Sequence, residues 1–261
     1  MGAPRQNHHL PFRARSAAAF SLMELIVVVT IMAILVVVSM PAWRSLTGTV
    51  SSPAVQIAGA LQRARTYAMT HNTYVWVGFY EQDAGRDAGD RGAGSPPPYA
   101  GRGQVVLGMA ASLDGTSIYD DDAAPAALPA SRIVPVEKPT RLENVHLADV
   151  GAPSASSAGS APSLRARPSD PYTDTAGDAQ RISSESSQAT PHPMTVGGYT
   201  FYKTVRFSPS GEAVINNASD LYRFGEIGLL PTRGKTVNSQ ARDVAAIQFS
   251  GIGGRVQIYR P

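Results

Sequence analysis

Gly228 to Thr236, GLLPTRGKT, sets a lysine and a threonine behind two glycines, the residue types that cradle phosphates. A phosphate loop needs four residues between its glycines so that successive backbone N–H groups converge. Here five intervene, Pro231 has no N–H to give, and no amphipathic helix follows, which argues against nucleotide binding and leaves Arg233 and Lys235 on a solvated loop. Asp120, Asp121 and Asp122 offer oxygen ligands of the kind calcium takes, but three consecutive carboxylates do not converge on one ion and the EF-hand spacing is missing. A solvated acidic loop is the preferred reading there, and Asp114-Gly115 reads as a turn. His71, His146 and His192 are scattered, with no His-x-x-x-His pair and no cysteine to assist them. No serine stands in a G-x-S-x-G elbow. Tyr74, Trp76 and Tyr80 alternate with Val75, Val77 and Phe79, so one set faces a core, and a sugar- or peptide-binding role for the other is the minor alternative. These residues imply no enzyme, no metal and no cofactor.

Glu24 has promise because of where it stands. From Phe20 to Trp43 the chain reads FSLMELIVVVTIMAILVVVSMPAW, apolar from Leu25 to Met40 apart from Thr30 and Ser39. As a helix rising about 1.5 Å per residue, it is long enough for a bilayer core of roughly 30 Å. The expectation is a transmembrane helix over 20–43. A carboxylate deep in lipid costs on the order of 2.5 to 3.5 kcal/mol. Glu24 therefore needs a partner, or a route to the interface by snorkelling.

The flanks orient this segment. Arg5, Arg13 and Arg15 precede it with no acid among them, while only Arg44 closely follows, which places the N-terminus on the cytoplasmic side of an inner membrane and the C-terminal bulk beyond it. A secretory signal has its small-residue cleavage site after the apolar core. Here the small residues, Ser16 to Ala19, come before it.

At these residues the sequence resembles a type IV prepilin. That family has a short basic leader, a small residue before the cut, an aromatic first mature residue, a Glu four positions later, an apolar helix, and often a proline about twenty residues in. Ala19, Phe20, Glu24 and Pro41 occupy these positions, with Ala19 where the family usually has Gly. The resemblance implies a leader over 1–19 removed by a prepilin peptidase, N-methylation of Phe20, and pairing of Glu24 with the N-terminal amine of a neighbouring subunit. The partners it implies are the peptidase and other pilin or pseudopilin subunits.

The chain has 261 residues, and its leader holds three of the 23 basic residues and none of the 20 acidic ones. The rest is electrically balanced, so the basic excess lies in the leader and gives no argument for nucleic acid as a bulk partner. Absence of cysteine excludes disulfides and thiolate metal sites.

Downstream, Pro41 is expected to kink or break the helix, and 44–72 to continue it as an amphipathic stretch. Ser52 and Pro53 suit a cap and first turn, and Ile57, Leu61, Ala64 and Ala68 fall on one face. If nearly continuous from Phe20 to His71, the helix is roughly 78 Å long. Asn72 is the expected stop. About seven strands are expected in 73–261, near 73–80, 105–109, 199–207 with 212–215 as a hairpin, 226–230, 244–249 and 256–259, with 142–147 a weaker candidate. Stretches 82–103 and 151–193, rich in Gly, Pro, Ser, Ala and Asp, read as flexible insertions.

Three later stretches narrow the resemblance. ALQRARTYAMTHNTYVWVGF, VRFSPSGEA and IQFSGIGGRVQIYRP are similar to patterns of minor pseudopilins of the GspH/FimT type, and the closing pattern also to the D component of the Verru_Chthon cassette, a prepilin-like group. The expected fold class is therefore α+β: a long N-terminal transmembrane and amphipathic helix followed by an antiparallel β-rich head, as in pilins. The expected function is a minor pilin or pseudopilin subunit, assembled into a type IV pilus or a type II secretion pseudopilus. Two other classes stay open. One is a membrane-anchored binding module for DNA or a surface polymer; the other is a tethered exported enzyme whose site no motif discloses.

Overall fold

The computed structural model describes residues 22–44, 49–85, 101–119, 124–150, 181–183, 190–216, 222–239 and 241–261. It divides into two compact units, Met1–Arg44 and Ser45–Pro261. The acidic run 120–122 and most of the two expected insertions lie outside the described residues.

The first unit holds helix α1, Leu22–Arg44. Straight-chain and β-branched apolar residues fill it. The helix runs through Pro41 to Arg44, so the expected break at that proline does not occur. The reading of 20–43 as a membrane span is overturned. Among the described residues no helix is long and apolar enough to cross a membrane. The side chains of α1 are described from Leu22 to Leu35. The single-pass inner-membrane location fails with that span.

The second unit begins with α2, Ser51–His71. Its N-cap is Val50, not Ser52, and no side chain of its own closes the first turn. Instead the Val50 N–H donates to Asp243 Oδ2 at 3.0 Å, which sets a distant carboxylate at the positive end of the helix. Asn72 ends it in the left-handed conformation (φ 48°), its N–H returning to the Ala68 carbonyl. Ile57, Leu61, Ala64 and Ala68 are fully buried along one stripe. Ile57 and Leu61 each contribute on the order of 1.5 to 3 kcal/mol by leaving water.

Twelve strands follow among the described residues: β1 Val75–Asp83, β2 Gly103–Ser112, β3 Ile133–Leu147, β4 Arg181–Ile182, β5 Met194–Val196, β6 Tyr199–Phe201, β7 Lys203–Phe207, β8 Ala213–Ile215, β9 Phe224–Arg233, β10 Thr236–Val237, β11 Ala245–Ser250 and β12 Val256–Tyr259. Ten form one sheet in the order β12-β11-β9-β3-β2-β1-β7-β8, with β4 and β10 also pairing β9. Every ladder is antiparallel except β4 with β9. The register places Glu81 opposite Val105, and Phe79 opposite both Leu107 and Lys203.

The central strands are covered on both faces. Val75, Val77 and Phe79 of β1, with Val105, Leu107 and Met109 of β2, pack under α2. The alternate residues Trp76, Val106 and Ala110 pack under the β5–β6 hairpin and Leu128. Gly78 and Gly108 sit side by side in the ladder. The Phe201 ring of β6 fills the space above both, where a Cβ on either would come within 2.5 Å of it. This hairpin layer has no signal in the sequence reading.

The fold class is therefore corrected. Among the described residues antiparallel strand outweighs helix, 72 residues against 44, with two separate helices in place of one long helix and a small head. Gly48 flanked by Thr47 and Thr49 is a run of poor helix formers, and α2 starts only at Ser51.

Candidate functional site

Of the four residues assigned by the prepilin resemblance, Ala19 and Phe20 lie outside the described residues. Glu24 stands in the first turn of α1, and Pro41 in its last. From Leu22 to Leu35 the helix is exposed throughout. Its large apolar side chains, among them Leu22, Leu25, Val28, Ile31 and Leu35, are between 47% and 80% open. Consecutive positions such as Leu25 to Val29 point around the whole circumference at 3.6 residues per turn. A helix that is apolar all round is ordinarily buried, and contiguous exposed apolar surface on this scale marks a place of association. Thr30 spends its hydroxyl inside the helix on the Ile26 carbonyl. Near the start of α1, Glu24 is the charged group amid this apolar surface.

In the second unit, the three sequence patterns that narrow the resemblance meet at one point. Arg65 of α2 lies against two glycine turns, one from the 207–213 hairpin and one from 250–254. A Cβ on Gly254 (φ 60°) would meet Arg65 Cδ at 2.8 Å, and one on Gly211 (φ 87°) would meet Met69 Sδ at 3.1 Å. The two turns are tied by the Ala213 N–H donating to the Gly251 carbonyl at 2.7 Å. The glycines are required by close approach and by their positive φ together. The patterns are thus a packing signature of α2 on the sheet.

The remaining candidates separate. Gly228 lies inside β9 and Gly234 in the turn to β10. Lys235 Nζ meets Asp83 Oδ2 at 2.9 Å on the surface, so GLLPTRGKT is a hairpin and not a phosphate cradle. His71 stacks on Tyr67 at 3.9 Å and His192 on Tyr119 at 4.3 Å. His146 lies beside Glu81. Among the described residues no three His, Cys, Asp or Glu side chains gather as metal ligands. Trp76 is fully buried, while Tyr74 and Tyr80 are half-buried: Tyr80 tilts against Tyr199 at 5.5 Å, and the Tyr74 ring is met by the Arg206 guanidinium at 5.6 Å.

A cavity of about 230 Å³ lies between α2 and the sheet, with Leu107 and Met109 among its apolar lining and Arg63, Glu137 and Lys138 among its polar groups. Arg63 grips Glu137 with two bonds, 2.7 and 3.0 Å long. This hydrogen bonding raises the Arg63 pKa above its ordinary value against a smaller opposing effect of burial.

Two arrangements escaped the sequence reading. Asp114 is the hub of its turn: it accepts from Ser112 Oγ at 2.8 Å, Thr116 N at 3.0 Å, Thr116 Oγ1 at 2.7 Å and Arg132 Nε at 2.9 Å. These donors, those of Thr116 foremost, hold its carboxyl far below the usual carboxylate range. The second is a buried group of Glu81, His146 and Lys203 from three strands. Its signal was present: Glu81 and Lys203 continue the inward phase of Val77-Phe79 and of Val205-Phe207, where charge is costly.

Comparison with protein-family models, curated proteins and solved structures finds no match.

Proposed function

We propose that this chain is a fibre subunit of the minor pilin or pseudopilin kind, cut by a prepilin peptidase between Ala19 and Phe20 and methylated on Phe20. Its mechanism is assembly and not catalysis. In this reading α1 packs against the α1 helices of neighbouring subunits of a type IV pilus or a type II secretion pseudopilus. Glu24 pairs there with a neighbour's N-terminal amine.

The observation that carries the reading is α1 itself: large apolar side chains exposed all round the helix from Leu22 to Leu35, with a carboxylate in the first turn. Such a surface is stable only when other apolar surface covers it. Small residues such as Ala33 allow close approach of another helix. The second unit supplies its own core and does not need α1 to fold. The test is Glu24→Ala, which leaves the apolar surface intact and removes the pairing carboxylate. The expected outcome is normal cleavage and a reduced share of tagged protein in sheared fibres. Incorporation equal to wild type rejects the pairing.

A further inference from the structure

β1 and β7 run side by side, and Lys203 faces Phe79 across them. Glu81, two residues further along β1, is therefore its diagonal neighbour on the same face. Both side chains are buried, 2% and 3% exposed, with Lys203 Nζ 3.1 Å from Glu81 Oε2. The other oxygen, Oε1, accepts the Leu147 N–H at 2.9 Å. His146 Nδ1 also lies 2.9 Å from Oε1, but off the direction of a hydrogen bond, so that this buried nitrogen has no hydrogen-bond partner. Removal from water penalises an ammonium and a carboxylate more than the neutral amine and acid that result when one proton passes between them.

We propose that Lys203 and Glu81 condense into an amide that cross-links β1 to β7. A proton passes from Nζ to Oε2, and the freed Nζ lone pair attacks Cδ. Negative charge gathers on Oε1, where the Leu147 N–H stabilises it. His146, in the tautomer with its proton on Nδ1, gains in this intermediate the partner it lacks beforehand, which is the differential stabilisation that speeds a reaction. A second proton then moves from Nζ to Oε2. The Cδ–Oε2 bond breaks, one water leaves, and the Nζ–Cδ bond remains. Nothing is oxidised or reduced, and no co-reactant is consumed. The sheet positions both reactants, and effective molarities for well-placed groups reach about 10⁵ to 10⁸ M.

The location suits the bond. The chain has no cysteine, and β7 is held to β1 by a ladder of five residue pairs, with only the short edge strand β8 beyond it among the described residues. The cross-link does not depend on the fibre reading.

The experiment is mass spectrometry of the full chain, folded, from a host without prepilin peptidase. The expected intact mass is lower than the sequence mass by one water, and digestion yields a branched peptide joined at Glu81 and Lys203. Lys203→Met restores the full mass. His146→Phe slows the loss, so that fresh protein shows two masses that converge with time. Folded wild type that keeps the full sequence mass after prolonged incubation, with Glu81 and Lys203 in separate linear peptides, overturns the proposal and leaves an ion pair.

Discussion

The ring of Phe201 occupies the space above Gly108 that any larger residue would need, for a Cβ built there lies 2.4 Å from Phe201 Cζ. The same ring covers Gly78 on the neighbouring strand, so the hairpin layer is seated by two missing side chains. Gly108→Val must push the ring and β6 outward. The expected loss is on the order of 1 to 3 kcal/mol, typical of overpacking. Phe201→Ala opens a cavity instead and should cost about 3 to 5 kcal/mol. Denaturant melts of a chain beginning at Thr47 measure both, and a Gly108→Val protein as stable as wild type contradicts the seating.

That layer also shows where sequence reading stops. The stripe Ile57, Leu61, Ala64 and Ala68 was legible because a helix repeats every 3.6 residues whatever it packs against. The strands near 75, 105, 205 and 247 were legible from β-branched and aromatic runs. A glycine in a strand says only that something approaches, not that Phe201, more than ninety residues on, is what approaches Gly108. Glu81 and Lys203, 122 residues apart, likewise meet only through the order of strands. The near-continuous helix expected from Phe20 to His71 is two helices, since Thr49 and Val50 lie outside both α1 and α2.

Asp114 gives a pH prediction whose sign follows from its depressed pKa. A carboxyl held lower in the folded state stabilises the fold above its unfolded value of about 3.9, and that contribution is lost only as pH falls through the lower folded value. The turn should therefore stay ordered in mild acid. Carbon-13 titration of the Asp114 carboxyl should show it ionised below the usual carboxylate range, and Arg132→Ala should move it back towards that range. A midpoint near the ordinary value in wild type contradicts the hub.

Lys235 and Asp83 form a surface pair, their side chains 64% and 37% exposed. Lys235→Ala should cost less than about 1 kcal/mol, since exposed pairs contribute little. It should leave no nucleotide affinity to lose. Saturable ATP binding by wild type that Lys235→Ala abolishes contradicts the hairpin reading.

The proposed packing of α1 in a fibre is tested most directly by the first residue of the assembled chain. Tagged chain is recovered from sheared surface fibres and from whole cells that contain a prepilin peptidase, and its first residue is identified by mass. The chain in the fibre fraction is expected to begin at a methylated Phe20, and Glu24→Ala to be cut at the same place but depleted from that fraction. A chain absent from fibres, or one that begins at Met1 or after Met40, contradicts it.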